Sequence, residues 1–347
     1  MPHLLLEKIK ERNRLAVKEF SAQAELRRKY LLDHPTRLAA TKCMDGRVNL
    51  SVITNMPFGV FRPWRNIGGM FNIGWLAFSQ SLREWVSKFE AEGREGIIFI
   101  TYHWSNSAKH LGCRGFDYNL SLSKKAIGQM AQSVKGVFVG HRLTVIFTGV
   151  ETDSDALIIH GDDIKNVLDM RVVKSGAEIK RRLIKMFPKM TDSMHSDLLN
   201  LLAGNAQHIK QVALEGRELV ELNHCEKILA VGQGFDWIHE SNEAIIVGPF
   251  NPNLEEPIIT AVKLIMTNRQ EGRVKSDRGV LLVCMPWSES WHNYREVASE
   301  RARVLADLAL TAIKKHLPQE LEFFYPLVGV MQEESREFTE IPYHRPF

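Results

Sequence analysis

Two cysteines and a histidine are spaced so that together they could bind a metal ion. Cys43 lies two residues beyond the short buried strand predicted at 37–41, His103 ends the apolar run 97–102, and Cys113 lies ten residues beyond His103. Thiolate and imidazole are soft or borderline ligands, which suit zinc better than magnesium or calcium. Three such ligands leave the fourth position of a tetrahedral zinc ion to water, as in catalytic sites. The sequence therefore predicts one catalytic zinc ion per chain, bound by Cys43, His103 and Cys113.

Two alternatives to this ligand set are open. His110 lies three residues before Cys113, and it could replace His103 as the nitrogen ligand. A metal ligand must be held to within a few tenths of an ångström, so we favour His103, which ends a strand, over His110, which falls in a loop. Asp45 or the spare histidine could also supply a fourth ligand, and the zinc site would then be structural.

Predicted strands and helices alternate over the first half of the sequence. The apolar runs of strand length and the segments with helical periodicity occur in the order 37–41, 73–92, 97–102, 122–137 and 143–147. This alternation predicts an α/β fold with a mostly parallel sheet flanked by helices. Sites in such sheets lie beyond the carboxyl ends of the strands, and Cys43 and His103 both take that position.

The second half of the sequence resembles the first. Three pairs of segments match in order, namely 38–43 with 228–233, 97–105 with 280–288, and 147–150 with 327–330. In this comparison Gln233 replaces Cys43 and Pro286 replaces His103, so the second copy lacks the metal ligands. We therefore predict four segments: an N-terminal helical arm at 1–35, a zinc-binding catalytic domain at 36–173, a helical connector at 174–224, and a degenerate metal-free repeat at 225–347.

The composition excludes several classes of protein. The 347 residues carry 45 Lys+Arg against 41 Asp+Glu, a net charge of +4 without a clustered basic face, so no nucleic-acid partner is expected. No apolar run approaches the roughly 20 residues of a transmembrane helix, and the N-terminus lacks the apolar core of a signal peptide. Four cysteines do not form a secreted disulfide framework. We expect a cytoplasmic protein without a membrane partner.

The motif Cys43-x-Asp45-x-Arg47, followed by a histidine and a cysteine, resembles the signature of the β-class carbonic anhydrases. The long spacing from His103 to Cys113 is similar to that of the carboxysome shell carbonic anhydrases, a divergent branch of that family. Four further segments resemble the same branch: 58–62, 102–105, 110–113 and 149–156.

The resemblance implies a β-carbonic-anhydrase-like sheet that is duplicated, with the degenerate copy in place of a second subunit (a pseudo-dimer). It also implies that zinc hydroxide interconverts carbon dioxide and bicarbonate, with Asp45 and Arg47 as catalytic residues. Asp45 would accept a hydrogen bond from the zinc-bound water, and Arg47 would hold Asp45 ionised through a two-pronged contact. If that pair breaks, Asp45 could bind zinc and close the site.

The resemblance further implies a homodimer or higher homo-oligomer, and a carboxysomal location with Rubisco as a partner. Family members carry a long N-terminal extension implicated in packaging with Rubisco, whereas only about 35 residues precede the first strand here, which argues against that association. Two other functions are compatible with the same residues. One is hydrolysis of carbonyl sulfide or carbon disulfide, and the other is a zinc-stabilised scaffold without turnover.

Overall fold

The chain forms two β-sheets with helices packed against them, as the alternation in the sequence predicts. The computed structural model describes residues 2–163, 165–217, 223–238, 242–289 and 294–347. None of the helices in this part of the chain combines the length and the apolar character needed to cross a membrane.

Two compact units divide the chain. The first-sheet unit comprises Glu25–Cys43 and Val48–Leu222, and the second-sheet unit comprises Met1–Ala24, Met44–Arg47 and Asn223–Phe347. The units are interleaved along the sequence, because the short segment Met44–Arg47 belongs to the second-sheet unit. The division into four segments that the sequence suggests stays a prediction.

The first sheet has six strands in the order β2-β1-β3-β4-β5-β6. The strands are β1 (Arg37–Cys43), β2 (Phe61–Asn66), β3 (Gly96–Trp104), β4 (Leu143–Glu151), β5 (Ala156–His160) and β6 (Val167–Asp169). Strands β1 to β4 are parallel, and β5 and β6 continue the sheet antiparallel. The central strands are buried on both faces, which explains the apolar runs that they contain in the sequence.

The second sheet has five strands in the order β8-β7-β9-β10-β11. The strands are β7 (Ile228–Gly232), β8 (Ala244–Val247), β9 (Gly279–Trp287), β10 (Phe324–Gln332) and β11 (Phe338–Glu340). Strands β7 to β10 are parallel, and β11 is antiparallel to β10. Each sheet therefore contains four parallel strands in the same order, followed by an antiparallel strand.

Nine α-helices occur among the described residues. They are α1 (Pro2–Ala22), α2 (Ala24–Asp33), α3 (Leu50–Ile53), α4 (Leu76–Ala91), α5 (Leu120–Val137), α6 (Gly176–Met186), α7 (Asp192–Glu215), α8 (Glu255–Gln270) and α9 (Arg295–His316). Helices α6 and α7 occupy the predicted connector and belong to the first-sheet unit, and residues 218–222 of that connector lie outside the described residues.

The strand register agrees with two of the three matches between the halves of the sequence. Residues 38 and 97 are paired between β1 and β3, and residues 228 and 280 are paired between β7 and β9. By this register Gln233 corresponds to Cys43, and Pro286 corresponds to His103. The third match is wrong by one residue, because Tyr102 pairs with Gly149 whereas the equivalent Met285 pairs with Val330 and not with Gly329.

The N-terminal segment forms two helices, separated at Gln23, and α1 is part of the second-sheet unit. Ile9 of α1 is buried in the hydrophobic core of that unit, and Arg12 pairs with the Glu243 carboxylate. Lys227 Nζ lies 2.8 Å from Glu243 Oε1. Burial raises the pKa of Glu243, but the hydrogen bonds from Lys227 and Arg12 outweigh burial and lower the pKa to about 2.

Candidate metal centre

Cys43 is the last residue of β1, and the surrounding backbone fixes its position. Cys43 is buried and pairs in register with Asn66 of β2. Gly69, in the turn after β2, has a φ of +70°, and a Cβ atom there would lie 2.9 Å from the Thr101 carbonyl oxygen and 3.4 Å from the Cys43 backbone nitrogen. The turn therefore lies directly against the backbone that carries Cys43, and glycine allows both the conformation and the close approach.

His103 is the second-to-last residue of β3 and is 2 % exposed. Neither of its ring nitrogens has a hydrogen-bond partner among the described residues. Buried polar side chains normally have partners, so a buried imidazole with two unpaired nitrogens fits the role of a metal ligand. His110, the alternative, is exposed in the single-turn helix Lys109–Leu111.

Asp153, to which the sequence analysis assigns no role, holds the loop between His103 and Cys113. Its carboxylate accepts hydrogen bonds from Ser105 Oγ at 2.5 Å and from the backbone N–H of Ser107 at 2.7 Å. Burial raises the pKa of Asp153, but the hydrogen bonds from Ser105 and Ser107 outweigh it and lower the pKa. The ionised carboxylate therefore ties the start of this loop to the residues that follow β4.

The turn after β2 also supports the chain just beyond Cys113. A Cβ atom on Gly115 would lie 2.7 Å from the backbone nitrogen of Gly68. The glycines at 68 and 69 thus pack against the chain next to both cysteines, which explains how residues 70 positions apart in the sequence keep a fixed separation.

The three predicted ligands meet in the first-sheet unit. Their ligand atoms all lie within 4.8 Å of one another, and all three residues are buried. Cys43 Sγ and Cys113 Sγ are 3.9 Å apart, which matches the separation of about 3.8 Å expected for two sulfurs on a tetrahedral zinc ion at about 2.3 Å each. Among the described residues, this is the one group of three or more His, Cys, Asp or Glu side chains that could hold a metal ion. The donor set fits zinc.

Asp45 and Arg47, two and four residues after Cys43, form a buried ion pair. Arg47 Nε donates to Asp45 Oδ1 at 3.1 Å, Arg47 Nη2 donates to Oδ2 at 2.6 Å, and the backbone N–H of Arg47 donates to Oδ1 at 2.9 Å. The residues are 7 % and 6 % exposed. This two-pronged contact is the one that the resemblance implies, and it fixes the orientation of the carboxylate.

His224 contacts the same ion pair and is missed by the sequence analysis, because a single histidine outside any motif gives no signal. Arg47 Nη2 lies 3.1 Å from His224 Nε2, and His224 Nδ1 lies 2.6 Å from Glu226 Oε1. A guanidinium can only donate, so His224 Nε2 accepts and the ring proton resides on Nδ1, which donates to Glu226. Asn268 Nδ2 donates to the other Glu226 oxygen at 2.7 Å. This chain of contacts within the second-sheet unit holds the guanidinium in one orientation.

The remaining cysteines take no part in the metal cluster. Burial raises the pKa of the Cys284 thiol, and it is also the main cause of a raised pKa at Cys225, whose Sγ donates to the Asn242 carbonyl oxygen. Both thiols are free and stay protonated at neutral pH. These surroundings are typical of structural cysteines.

The family model of the carboxysome shell carbonic anhydrase catalytic domain matches residues 28–213. This range is more than half of the chain and contains the three clustered ligands together with Asp45 and Arg47. Among curated proteins no match was found.

Proposed function

The chain belongs to the family of carboxysome shell carbonic anhydrases, and on that premise we propose that it interconverts carbon dioxide and bicarbonate at a zinc ion. The observation that carries the proposal is the buried cluster of Cys43, His103 and Cys113, whose ligand atoms lie within 4.8 Å of one another. The two free nitrogens of His103 and the spacing of the two sulfurs support the same ligand set.

These three side chains would hold the metal, and Asp45 and Arg47 would control the proton of the attacking water. When bound, zinc supplies a coordinated water whose pKa is lowered from about 15.7 toward about 7. Arg47 would orient the Asp45 carboxylate, so that one of its oxygens could accept a hydrogen bond from the attacking water.

We also propose that the two sheets arose by duplication, and that the second copy lost its metal ligands. The shared strand order supports this, and so does a pair of contacts at equivalent positions. Ser105 Oγ donates to Asp153 after the first sheet's strands, and Ser288 Oγ donates to Glu334 after the second sheet's strands. Neither contact is required by strand pairing, so their recurrence favours common descent.

The metal-free repeat would be retained because it supports the ion pair. Within the second-sheet unit, the backbone N–H of Ile246 donates to the Met44 carbonyl oxygen at 2.8 Å, and Asp45 forms a single antiparallel bridge with Ile245. Arg47 contacts His224 in the same unit. This support is the basis for the proposed pseudo-dimer. A homo-oligomeric state and a carboxysomal location are further proposals that rest on the family alone.

The test is stopped-flow hydration of carbon dioxide by the purified full chain, combined with a measurement of zinc content. We expect about one zinc per chain and turnover that is lost in Cys43→Ser, together with the metal. Asp45→Asn should retain zinc but lose most of the turnover. Cys225→Ser is the matched control and should change neither quantity. Zinc-loaded protein without turnover would overturn the proposal in favour of a scaffold, and faster hydrolysis of carbonyl sulfide or carbon disulfide would overturn the assignment of the substrate.

A further inference from the structure

Arg65 of β2 binds the backbone at both ends of the segment that carries Asp45 and Arg47. Its Nη1 donates to the carbonyl oxygen of Cys43 at 2.9 Å, and its Nη2 donates to the carbonyl oxygen of Val48 at 3.0 Å. The side chain is buried, with the residue 8 % exposed. These two contacts lie within the first-sheet unit, which the chain leaves after Cys43 and re-enters at Val48.

The two carbonyl oxygens bound by Arg65 bracket the four residues between them. The bracketed segment, residues 44–47, contains the ion pair of Asp45 and Arg47. Because one guanidinium binds both ends, the distance between the Cys43 and Val48 carbonyls is set by the rigid spacing of the two Nη atoms. The backbone of Cys43, which carries the metal-binding sulfur, is therefore held at the end of β1.

The sheet places Arg65 for this role. Strand β2 pairs with β1 so that Arg65 is in register with Lys42 and the next residue, Asn66, is in register with Cys43. The turn after β2 then packs against the Cys43 backbone through Gly69. Strand pairing therefore places Arg65 beside the end of β1, and the glycine turn packs against the same stretch of β1 backbone.

We propose that Arg65 is a positioning residue for the reaction. Through its contacts with the carbonyl oxygens of Cys43 and Val48 it clamps the two ends of segment 43–48, and so fixes the backbone that carries the metal ligand Cys43. This inference rests on the proposed function for its effect on turnover, but the clamp itself is a property of the fold. Lysine would not replace Arg65, since a single ammonium nitrogen lacks the planar fork that reaches two carbonyl oxygens at once.

The experiment compares Arg65→Lys and Arg65→Met with the control Arg62→Met in the full chain as purified. Arg62 lies on the same strand, is exposed, and donates to Ser81 Oγ at 3.2 Å. Hydrogen exchange by mass spectrometry reports on the peptide that contains residues 43–48, and zinc content and carbon dioxide hydration are measured on the same samples. Absorption of the cobalt-substituted protein reports on the geometry of the metal ligands.

We expect exchange in residues 43–48 to accelerate about 10- to 100-fold in both Arg65 variants, which is the range expected for the loss of buried hydrogen bonds to a charged group. The value of kcat should fall by about the same factor, while KM changes less than about twofold, because the ligands stay and the alignment is lost. The cobalt spectrum should shift in both variants, and Arg62→Met should match the original protein in every measurement.

Unchanged exchange in residues 43–48 would overturn the clamp, whatever happens to turnover. If Arg65→Met fails to fold, Arg65→Lys decides, and wild-type values of kcat and exchange in that variant would also overturn it. If the original protein shows no carbon dioxide hydration at all, the proposed function fails while the exchange data still decide whether the clamp exists.

Discussion

Removal of the Arg47 guanidinium should disable catalysis without removing the metal. In Arg47→Met the Asp45 carboxylate loses the contacts at 3.1 Å and 2.6 Å and is left buried without that guanidinium. Taking away one partner of a buried ion pair costs about 3–5 kcal/mol. If the misplaced Asp45 raises the activation free energy by about 3–4 kcal/mol of this cost, then kcat/KM falls about 100- to 1000-fold, since each factor of ten corresponds to about 1.4 kcal/mol.

The assay is stopped-flow carbon dioxide hydration in a double-mutant cycle with Asp45→Asn. If Arg47 acts through Asp45, the double variant should be no slower than the slower single variant, which gives a coupling energy of about 3 kcal/mol. Zinc content should stay at the original level in all three variants, because neither residue belongs to the Cys-His-Cys cluster.

A matched control is present in the same chain. Asp169 and Arg171 repeat the contact with the same spacing, with Nε at 3.0 Å from Oδ1 and Nη2 at 2.6 Å from Oδ2, but this pair is partly exposed. Solvent-exposed ion pairs contribute about 0–1 kcal/mol, so Arg171→Met should leave kcat/KM unchanged. The reasoning is refuted if the effects of Arg47→Met and Asp45→Asn multiply, or if Arg171→Met slows hydration as strongly as Arg47→Met does.

Three further predictions concern the ligand, the glycine turn and the N-terminal helix. His103→Gln should lose zinc and turnover, whereas His110→Gln should keep both, as measured by metal analysis; the opposite pattern would exchange their roles. Gly69→Ala should lower the melting temperature and the zinc affinity, because the added Cβ would lie 2.9 Å from the Thr101 oxygen; an unchanged zinc titration would contradict this. Glu243 has a pKa lowered to about 2 from its ordinary 4.5, so its contribution to stability is complete above pH 4.5 and is lost as pH falls toward 2. After allowance for solvent screening this contribution is about 1–2 kcal/mol. The original protein should lose this stability only in acid, whereas Arg12→Met should already be less stable at neutral pH, as measured by unfolding at a series of pH values.

The sequence was sufficient for those parts of the fold and site that depend on local pattern. The buried parallel strands contain apolar runs, which are long in β3 and β4 and short in β1, so these three strands could be located from the sequence pattern. Cys43 and His103 lie at the carboxyl ends of β1 and β3. The carboxyl ends of parallel strands share one edge of a sheet. That rule is enough to bring Cys43 and His103 together.

What depends on long-range pairing could not be predicted in this way. The segment Met44–Arg47 joins the second-sheet unit because of its contacts with residues 245 and 246, about 200 positions later. His224 and Arg65 act through contacts that no local motif marks, and the register of β10 depends on its whole pairing with β9. The single-residue error at Gly329 arose because a glycine was matched by identity, whereas the sheet aligns strands by hydrogen bonding.

X-ray absorption spectroscopy at the zinc edge of the purified full chain tests the central claim most directly. The account predicts one zinc per chain with two sulfurs at about 2.3 Å, one nitrogen at about 2.0–2.1 Å and one oxygen from solvent. A zinc ion with a different number of sulfurs, or with a second protein nitrogen in place of the solvent oxygen, would contradict it.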